Sequence, residues 1–401
     1  MRIRRGPAVI GVVLAVLLVV LPALAVPGLS TTARADPACP FAGAPGPPVD
    51  TSEAPRPGQG EPPPLPIPSP PVGGPATAAC GDVVADGAPA PPPVGVVSYV
   101  LADLDSGEIL AARNAHARLR PASLMKTLTG LLVARRLPMD ETVVGTQEDA
   151  DQEGTRVGIG PGGQYTIRQL LNAMLMASGN DAAHALAVRL TGSVDGTVAL
   201  MNETARGMGA LDTRAATPSG LDGPGMQTSA YDLASIYRVA LREEPFATAT
   251  GTRRIPFPGF GTAPGFDVIN DNKLIETQYP GVIGGKTGFT DDARHTFIGA
   301  AQRGDRRLVA VLMRGEQRPT PMYQQAEALL EYGFALPDPR GIGTLTDGPV
   351  AGTAGASTDP AGDPGAIAPE ASGSASWSPL LLIGVIAVAV GGLVALRARR
   401  R

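Results

Sequence analysis

Segments patterned as strands stand at both ends of one stretch of this chain, residues 94–336, and helical patterns fill the middle. Val96 to Leu104 and Glu108 to Ala112 read as two strands joined by the turn Asp105-Ser106-Gly107. Near the other end, Gly281 to Thr290 reads as a glycine-flanked strand. Thr296 to Gln302 and Arg307 to Arg314 form a second hairpin around Arg303-Gly304-Asp305-Arg306. Between them lie helices: one after Pro121 that ends near Arg136-Leu137, then Thr166 to Met176, Asp181 to Leu190, Val194 to Met208 and Thr228 to Leu241. Thr166, Asn180 and Thr228 suit helix caps, Gln147 to Tyr165 reads as a loop or small hairpin, and Pro321 to Phe334 is a last amphipathic helix. The strand-rich ends must pair with each other. This predicts an α+β fold, one antiparallel sheet packed with helices plus a helical subdomain, with its site where the two halves meet.

The flanks do not carry such patterns. Residues 1–35 hold Met1-Arg2-Ile3-Arg4-Arg5 and an apolar run from Ala8 to Val26, the pattern of a signal peptide or signal anchor. Ala33-Arg34-Ala35 and Ala23-Leu24-Ala25 are competing cleavage sites. Residues 36–93 are dense in Pro, Gly and Ala and read as a disordered linker. Cys39 and Cys80 lie within it, either paired in an oxidising exterior or separate. Residues 337–377 read as a flexible linker, 378–396 as a C-terminal transmembrane helix and 397–401 as a basic cytoplasmic tail. Trp377 and Arg397, Arg399, Arg400 and Arg401 flank that apolar run as a membrane anchor requires, which places the block 94–336 outside the cell membrane. A net charge of −4 points to no nucleic acid, and no spacing of His, Cys, Asp or Glu suggests a metal or other cofactor.

The chemistry concentrates in Pro121-Ala122-Ser123-Leu124-Met125-Lys126-Thr127. A serine and a lysine three apart share a helix face, so hydroxyl and amine can meet. A lone pair of this kind is more often a surface lysine on an amphipathic helix. Here the chain has 33 Lys+Arg but only three lysines, Lys126, Lys273 and Lys286. Arginine does the routine surface work, and unlike arginine a lysine can give up its proton near neutrality. Two more short motifs follow, Ser178-Gly179-Asn180 and Lys286-Thr287-Gly288, and the three use two of the three lysines. Lys273 reads as structural, tethering a loop beside the third motif. His116, His184 and His295 are scattered, so no histidine base is indicated beside a nucleophile.

With these motifs in this order, the chain resembles the penicillin-recognising serine enzymes, and among them the D-alanyl-D-alanine carboxypeptidases, the low-molecular-mass penicillin-binding proteins. The resemblance covers about Val94 to Phe334 and is carried also by Thr217-Pro218-Ser219-Gly220-Leu221-Asp222, Tyr231-Asp232-Leu233-Ala234 and Tyr279 to Thr290. It implies a serine peptidase that removes the terminal D-alanine from peptidoglycan stem peptides ending in D-Ala-D-Ala. Ser123 would be the acylated nucleophile and Lys126 its base. Ser178 would relay a proton to the leaving amine, and Asn180 would offer its amide to the substrate. Lys286 and Thr287 would face the terminal carboxylate, beside Gly288 and Phe289. The backbone N–H groups of Ser123 and Phe289 would form the oxyanion hole. β-Lactams would acylate Ser123 and stay, because no Glu stands between Ala205 and Leu241 to serve deacylation as in class A β-lactamases. A β-lactamase or D,D-endopeptidase of the same fold is the nearest alternative; a non-catalytic penicillin-binding sensor or wall scaffold is one of another class. Where relatives carry an arginine near the last helix for the substrate carboxylate, this chain has Met322 and Tyr323, leaving Arg318 or Arg294 as substitutes.

Overall fold

The computed structural model describes residues 39–337 and 340–349. The strands β1 (Asp82–Val84), β2 (Val96–Asp103) and β3 (Ile109–Arg113) come first. A single 3-10 turn, Ala122–Met125, leads into α1 (Lys126–Arg136). Next are β4 (Thr142–Val144), the one-turn α2 (Gln147–Ala150), β5 (Gln164–Thr166), α3 (Ile167–Met176), α4 (Asn180–Thr191), α5 (Val194–Gly207), α6 (Ala230–Ala240) and α7 (Glu244–Gly251). The chain continues through β6 (Arg254–Phe257), β7 (Phe266–Ile269), α8 (Lys273–Glu276), β8 (Val282–Thr290), β9 (Arg294–Arg303), β10 (Arg306–Gly315) and α9 (Met322–Ala335).

The two ends of the block do pair. The main sheet runs β1-β3-β2-β10-β9-β8 and is antiparallel throughout, with β2 against β10 at its centre. The period of two along its strands sorts side chains between two cores. Tyr99, Leu101, Leu308, Ala310 and Leu312 face Met322, Ala326, Leu329 and Leu330 of α9, which recur at helical spacing. Val100, Ala102, Val309, Val311 and Met313 face the other way, into a core shared with α1, α3, α4 and α6. Both faces are covered, so the alternation of polar and apolar residues is faint in these strands. Helix α1 is buried from Lys126 to Val133, enclosed by the other helices.

Several expectations need correction. The linker expected over 36–93 has a fixed course from Cys39 onward. Cys39 and Cys80 form a disulfide, Cα atoms 5.2 Å apart. β1 pairs with β3, and the carbonyls of Gly43, Leu65 and Pro66 accept from the Arg118 guanidinium at 3.1, 2.6 and 2.6 Å. A proline-rich segment lacks the N–H groups for a ladder, yet its carbonyls need donors, and buried arginine supplies them. The catalytic block also extends past Leu336. Ile342 N–H donates to Ile109 O, Leu345 N–H donates to Gly107 O, and Leu345 is buried. Ser229 caps α6 in place of Thr228, and Gly179 precedes α4 so that Asn180 is its first residue. Thr166 does cap α3, in a capping box with Gln169. Lys273 tethers no loop; its amine pairs with Glu276 on the surface. Among the described residues no helix is long and apolar enough to cross a membrane. The N-terminal segment 1–35, most of the linker 337–377, the anchor 378–396 and the tail 397–401 lie outside the described residues.

Candidate active site

The three motifs converge. Ser123 lies in the 3-10 turn and Lys126 opens α1, so the turn sets the serine one step ahead of the buried helix. Lys126 Nζ lies 2.9 Å from Ser123 Oγ, 2.6 Å from Asn180 Oδ1 and 2.8 Å from the carbonyl of Ser219. Its side chain is fully buried. Burial pushes the Lys126 amine well below its ordinary value, the charge of Lys286 pushes it further, and Asp271 and Asp181 pull the other way.

Ser178 sits between α3 and α4 at φ +60°, a left-handed conformation that costs a serine about 1–2 kcal/mol. Such strain at a site is maintained by the surrounding contacts. Lys286 Nζ lies 3.1 Å from Ser178 Oγ and donates to the Thr287 carbonyl at 2.9 Å. Burial lowers the Lys286 amine as well, and Asp271 opposes the shift. Asn180 is tied on its other side, where its Nδ2 donates to Glu153 O at 2.6 Å and its backbone N–H to Thr155 O at 2.7 Å. Asp181 accepts the N–H groups of Val157, Gly158 and Ile159 at 2.8–3.0 Å. Residues 153–159 are thus bound to the start of α4.

The nucleophile's turn is itself strained: Ala122 has φ +49°. Gly220, at φ +85°, packs on it so closely that a Cβ there would lie 1.9 Å from the Ala122 carbonyl oxygen. Thr296 Oγ1 donates to Pro121 O at 2.9 Å. Gly288 of β8 backs onto the turn, and a Cβ at that position would stand 3.0 Å from Ser123 N. The backbone of β8 near Phe289 is therefore brought against the backbone N–H of Ser123. Phe289 is 47% exposed at the rim and tilted against His295, ring centroids 4.5 Å apart.

Ser123, Lys126, Ser178, Asn180, Lys286 and Gly288 are thus gathered around one buried pair of amines, with Thr287 and Phe289 on the adjoining strand. The two candidates for the substrate carboxylate are not gathered in. Arg294 binds Glu316 through Nε and Nη2 at 2.9 and 3.1 Å and lies over the Phe289 ring, while Arg318 is exposed. The carbonyl of Ser219 is the partner that motif reading missed as a contact to the lysine. A backbone acceptor has no residue signature, and its only trace is the glycine after it. His116 and His184 are engaged elsewhere, their Nδ1 atoms with Asp212 and Asp149, while His295 lies at the rim against Phe289. His116, Asp212 and Asp232 form a grouping with metal-ligand spacing. Most of its atoms are committed: Arg118 holds the second Asp212 oxygen, Val72 O lies 3.0 Å from His116 Nε2, and Asp232 Oδ2 accepts from Asp212 N–H and Thr213, while Asp232 Oδ1 is buried with no partner.

Comparison with known proteins gives a consistent picture. A family model for D-alanyl-D-alanine carboxypeptidases, the S11 peptidases, matches residues 86–317. The chain is 44% identical over 253 residues to the D-alanyl-D-alanine carboxypeptidase DacB2 of Mycobacterium tuberculosis, covering 62% of this chain and 85% of that protein. It is 33% identical over 243 residues to DacF of Bacillus subtilis, 59% of this chain and 62% of that one. Among solved structures, a D-alanyl-D-alanine carboxypeptidase of M. tuberculosis H37Rv superposes with a TM-score of 0.62 at 41% identity, covering 66% of this chain and all of that one. The Streptomyces K15 DD-transpeptidase superposes at 0.58 with 25% identity, covering 62% of this chain and all of that one.

Proposed function

The chain belongs to the D-alanyl-D-alanine carboxypeptidase family of S11 peptidases, and from that premise we propose that Ser123, Lys126, Ser178, Asn180, Lys286 and Thr287 carry its reaction. The enzyme is a serine-type hydrolase acting on peptidoglycan peptides that end in D-Ala-D-Ala, through an acyl-enzyme. The observation that carries the assignment is Lys126 Nζ, fully buried and 2.9 Å from Ser123 Oγ. Burial and the neighbouring amine both lower the Lys126 amine, which favours the neutral form that accepts the serine proton. Ser123 Oγ then attacks the penultimate carbonyl carbon. The oxyanion sits against the N–H groups of Ser123 and Phe289, a pair of fixed donors of the kind worth about 3–4 kcal/mol each. Ser178, held by Lys286, passes the proton to the departing D-alanine nitrogen. Asn180 orients Lys126 through Oδ1 and faces the peptide, while Lys286 and Thr287 receive the terminal carboxylate. Water then releases the shortened peptide. β-Lactams enter by the same attack and remain on Ser123.

Catalysis belongs outside the membrane. We read residues 378–396 as its C-terminal anchor, on the strength of an uncharged run that ends in Arg397, Arg399, Arg400 and Arg401. The test of the whole reading is labelling with a fluorescent penicillin alongside D-alanine release from a pentapeptide, for the wild type and Ser123→Ala. Both signals should vanish in the variant. Wild-type labelling without release would sink the hydrolase and favour a sensor.

A further inference from the structure

The proline-rich segment 39–72 binds Arg118 and Arg120, a few residues before the nucleophile, and it precedes residue 86, where the family match begins. Each residue from Arg118 to Ala122 is pinned. Arg118 N–H donates to Phe41 O, and its guanidinium to Gly43, Leu65 and Pro66. Leu119 exchanges both backbone groups with Thr228. Arg120 is buried, with Nη2 donating to Gly46 O at 2.9 Å and to Glu53 Oε2 at 2.8 Å, and Nε to Glu53 Oε1. Pro121 O is held by Thr296, and the Ala122 carbonyl is backed by Gly220. At the centre of these contacts stands Ala122 at φ +49°, a conformation that persists only while its surroundings over-determine it.

We propose that Glu53 is a positioning residue for the nucleophile: it pairs with Arg120 and so holds the strained Ala122–Ser123 turn against β8. This rests on Ser123 being the acylated residue. The alternative partners of Arg120 make the role specific. Asp292 and Asp222 already act on it electrostatically. Asp292 Oδ1 accepts Val49 N–H at 2.7 Å. Asp222 can take the guanidinium: its carboxyl bonds Thr290, but its Oδ1 is buried with no partner. It lies three residues beyond Ser219, whose carbonyl holds Lys126. Without Glu53 the guanidinium turns toward Asp222. It then draws on the turn that carries Ser123 and on the stretch that fixes the base. On β8 Asp222 bonds Thr290, at the strand's end, while Lys286 and Thr287, which receive the carboxylate, lie four and three residues before it.

The experiment compares full-length wild type, Glu53→Gln and Glu53→Asp in detergent. It measures the rate of Ser123 acylation by a fluorescent penicillin, and kcat and KM for D-alanine release from a pentapeptide. Misplacement of reacting groups by about 1 Å costs about 10²-fold. Glu53→Gln should therefore acylate about 10- to 100-fold more slowly, with KM within about threefold of wild type. Glu53→Asp should recover most of the rate. Thermal melts set the assay temperature well below every midpoint, so that only folded enzyme is compared. Acylation of Glu53→Gln at the wild-type rate overturns the proposal, as does a loss that appears only in KM or that Glu53→Asp does not relieve. A wild type unlabelled at Ser123 overturns the nucleophile assignment instead, and this inference with it.

Discussion

Lys286 stands in the same buried site as Lys126, and the charge on the first opposes the charge on the second. Burial lowers Lys126 most, and Lys286 adds to it. A base must lose its proton to work, so the acid limb of the acylation profile should report Lys126 and lie well below the usual lysine range. Lys286→Gln removes the repulsion and lets the Lys126 amine rise. The residual acylation rate of that variant, followed against pH with a β-lactam, should show its acid limb displaced to higher pH. A limb that stays in place would mean that burial alone sets the base.

Lys126→Arg keeps the charge and loses the chemistry. Guanidinium stays protonated at every pH the protein tolerates. Acylation should fall by about 10²–10⁴-fold, the ordinary worth of a general base, at all pH values from 6 to 10. Stopped-flow labelling checks this, and recovery of the rate at high pH would count against Lys126 as the base.

The Cys39–Cys80 disulfide closes a loop with a sequence separation of 41. On the chain-entropy account that closure contributes about 4 kcal/mol, and measured values are commonly about 2–4. The double variant Cys39→Ser/Cys80→Ser should lose about 2–4 kcal/mol in urea unfolding. Its segment 39–72 should become protease-sensitive before the sheet unfolds. Unchanged unfolding would mean that the arginine contacts hold the segment unaided.

His184 and Asp149 tie α4 to the one-turn helix beside the loop that binds Asn180. Asp149 raises the His184 imidazole above its ordinary 6.5. The stabilisation is fully present below about pH 6.5 and is lost as pH rises through the folded value. His184→Gln should cost about 1–3 kcal/mol at pH 6 and progressively less above it. Melts at a series of pH values test this; a constant cost would assign His184 a packing role only.

Much of the site was legible because its chemistry is written in side chains at fixed short spacing. Ser123 with Lys126, Ser178 with Asn180, and Lys286 with Thr287 were placed together by their order along the chain and by the family resemblance that this order carries. The pairing of the strand-rich ends followed from the lack of other partners. What the residues did not disclose depends on contacts distant in sequence. Segment 39–72 reads as linker because prolines prevent a ladder, and its order comes from Arg118, Arg120 and Arg214 far along the chain. The left-handed Ala122 and Ser178 carry no sequence mark, since both residue types ordinarily avoid that conformation. The cap at Ser229 was displaced by one residue because Thr228 hydrogen-bonds Thr213 instead.

The central pairing of β2 with β10 joins Leu101 to Ala310. A chain that emerges from its amino end must therefore keep β2 open on its inner edge until almost the whole block has been delivered. Contacts so remote form slowly and leave an unpaired edge exposed meanwhile. Until β8, β9 and β10 arrive, neither Lys286 nor the β8 backbone is present to complete the site. Reactivity toward D-Ala-D-Ala thus switches on only with the last strands.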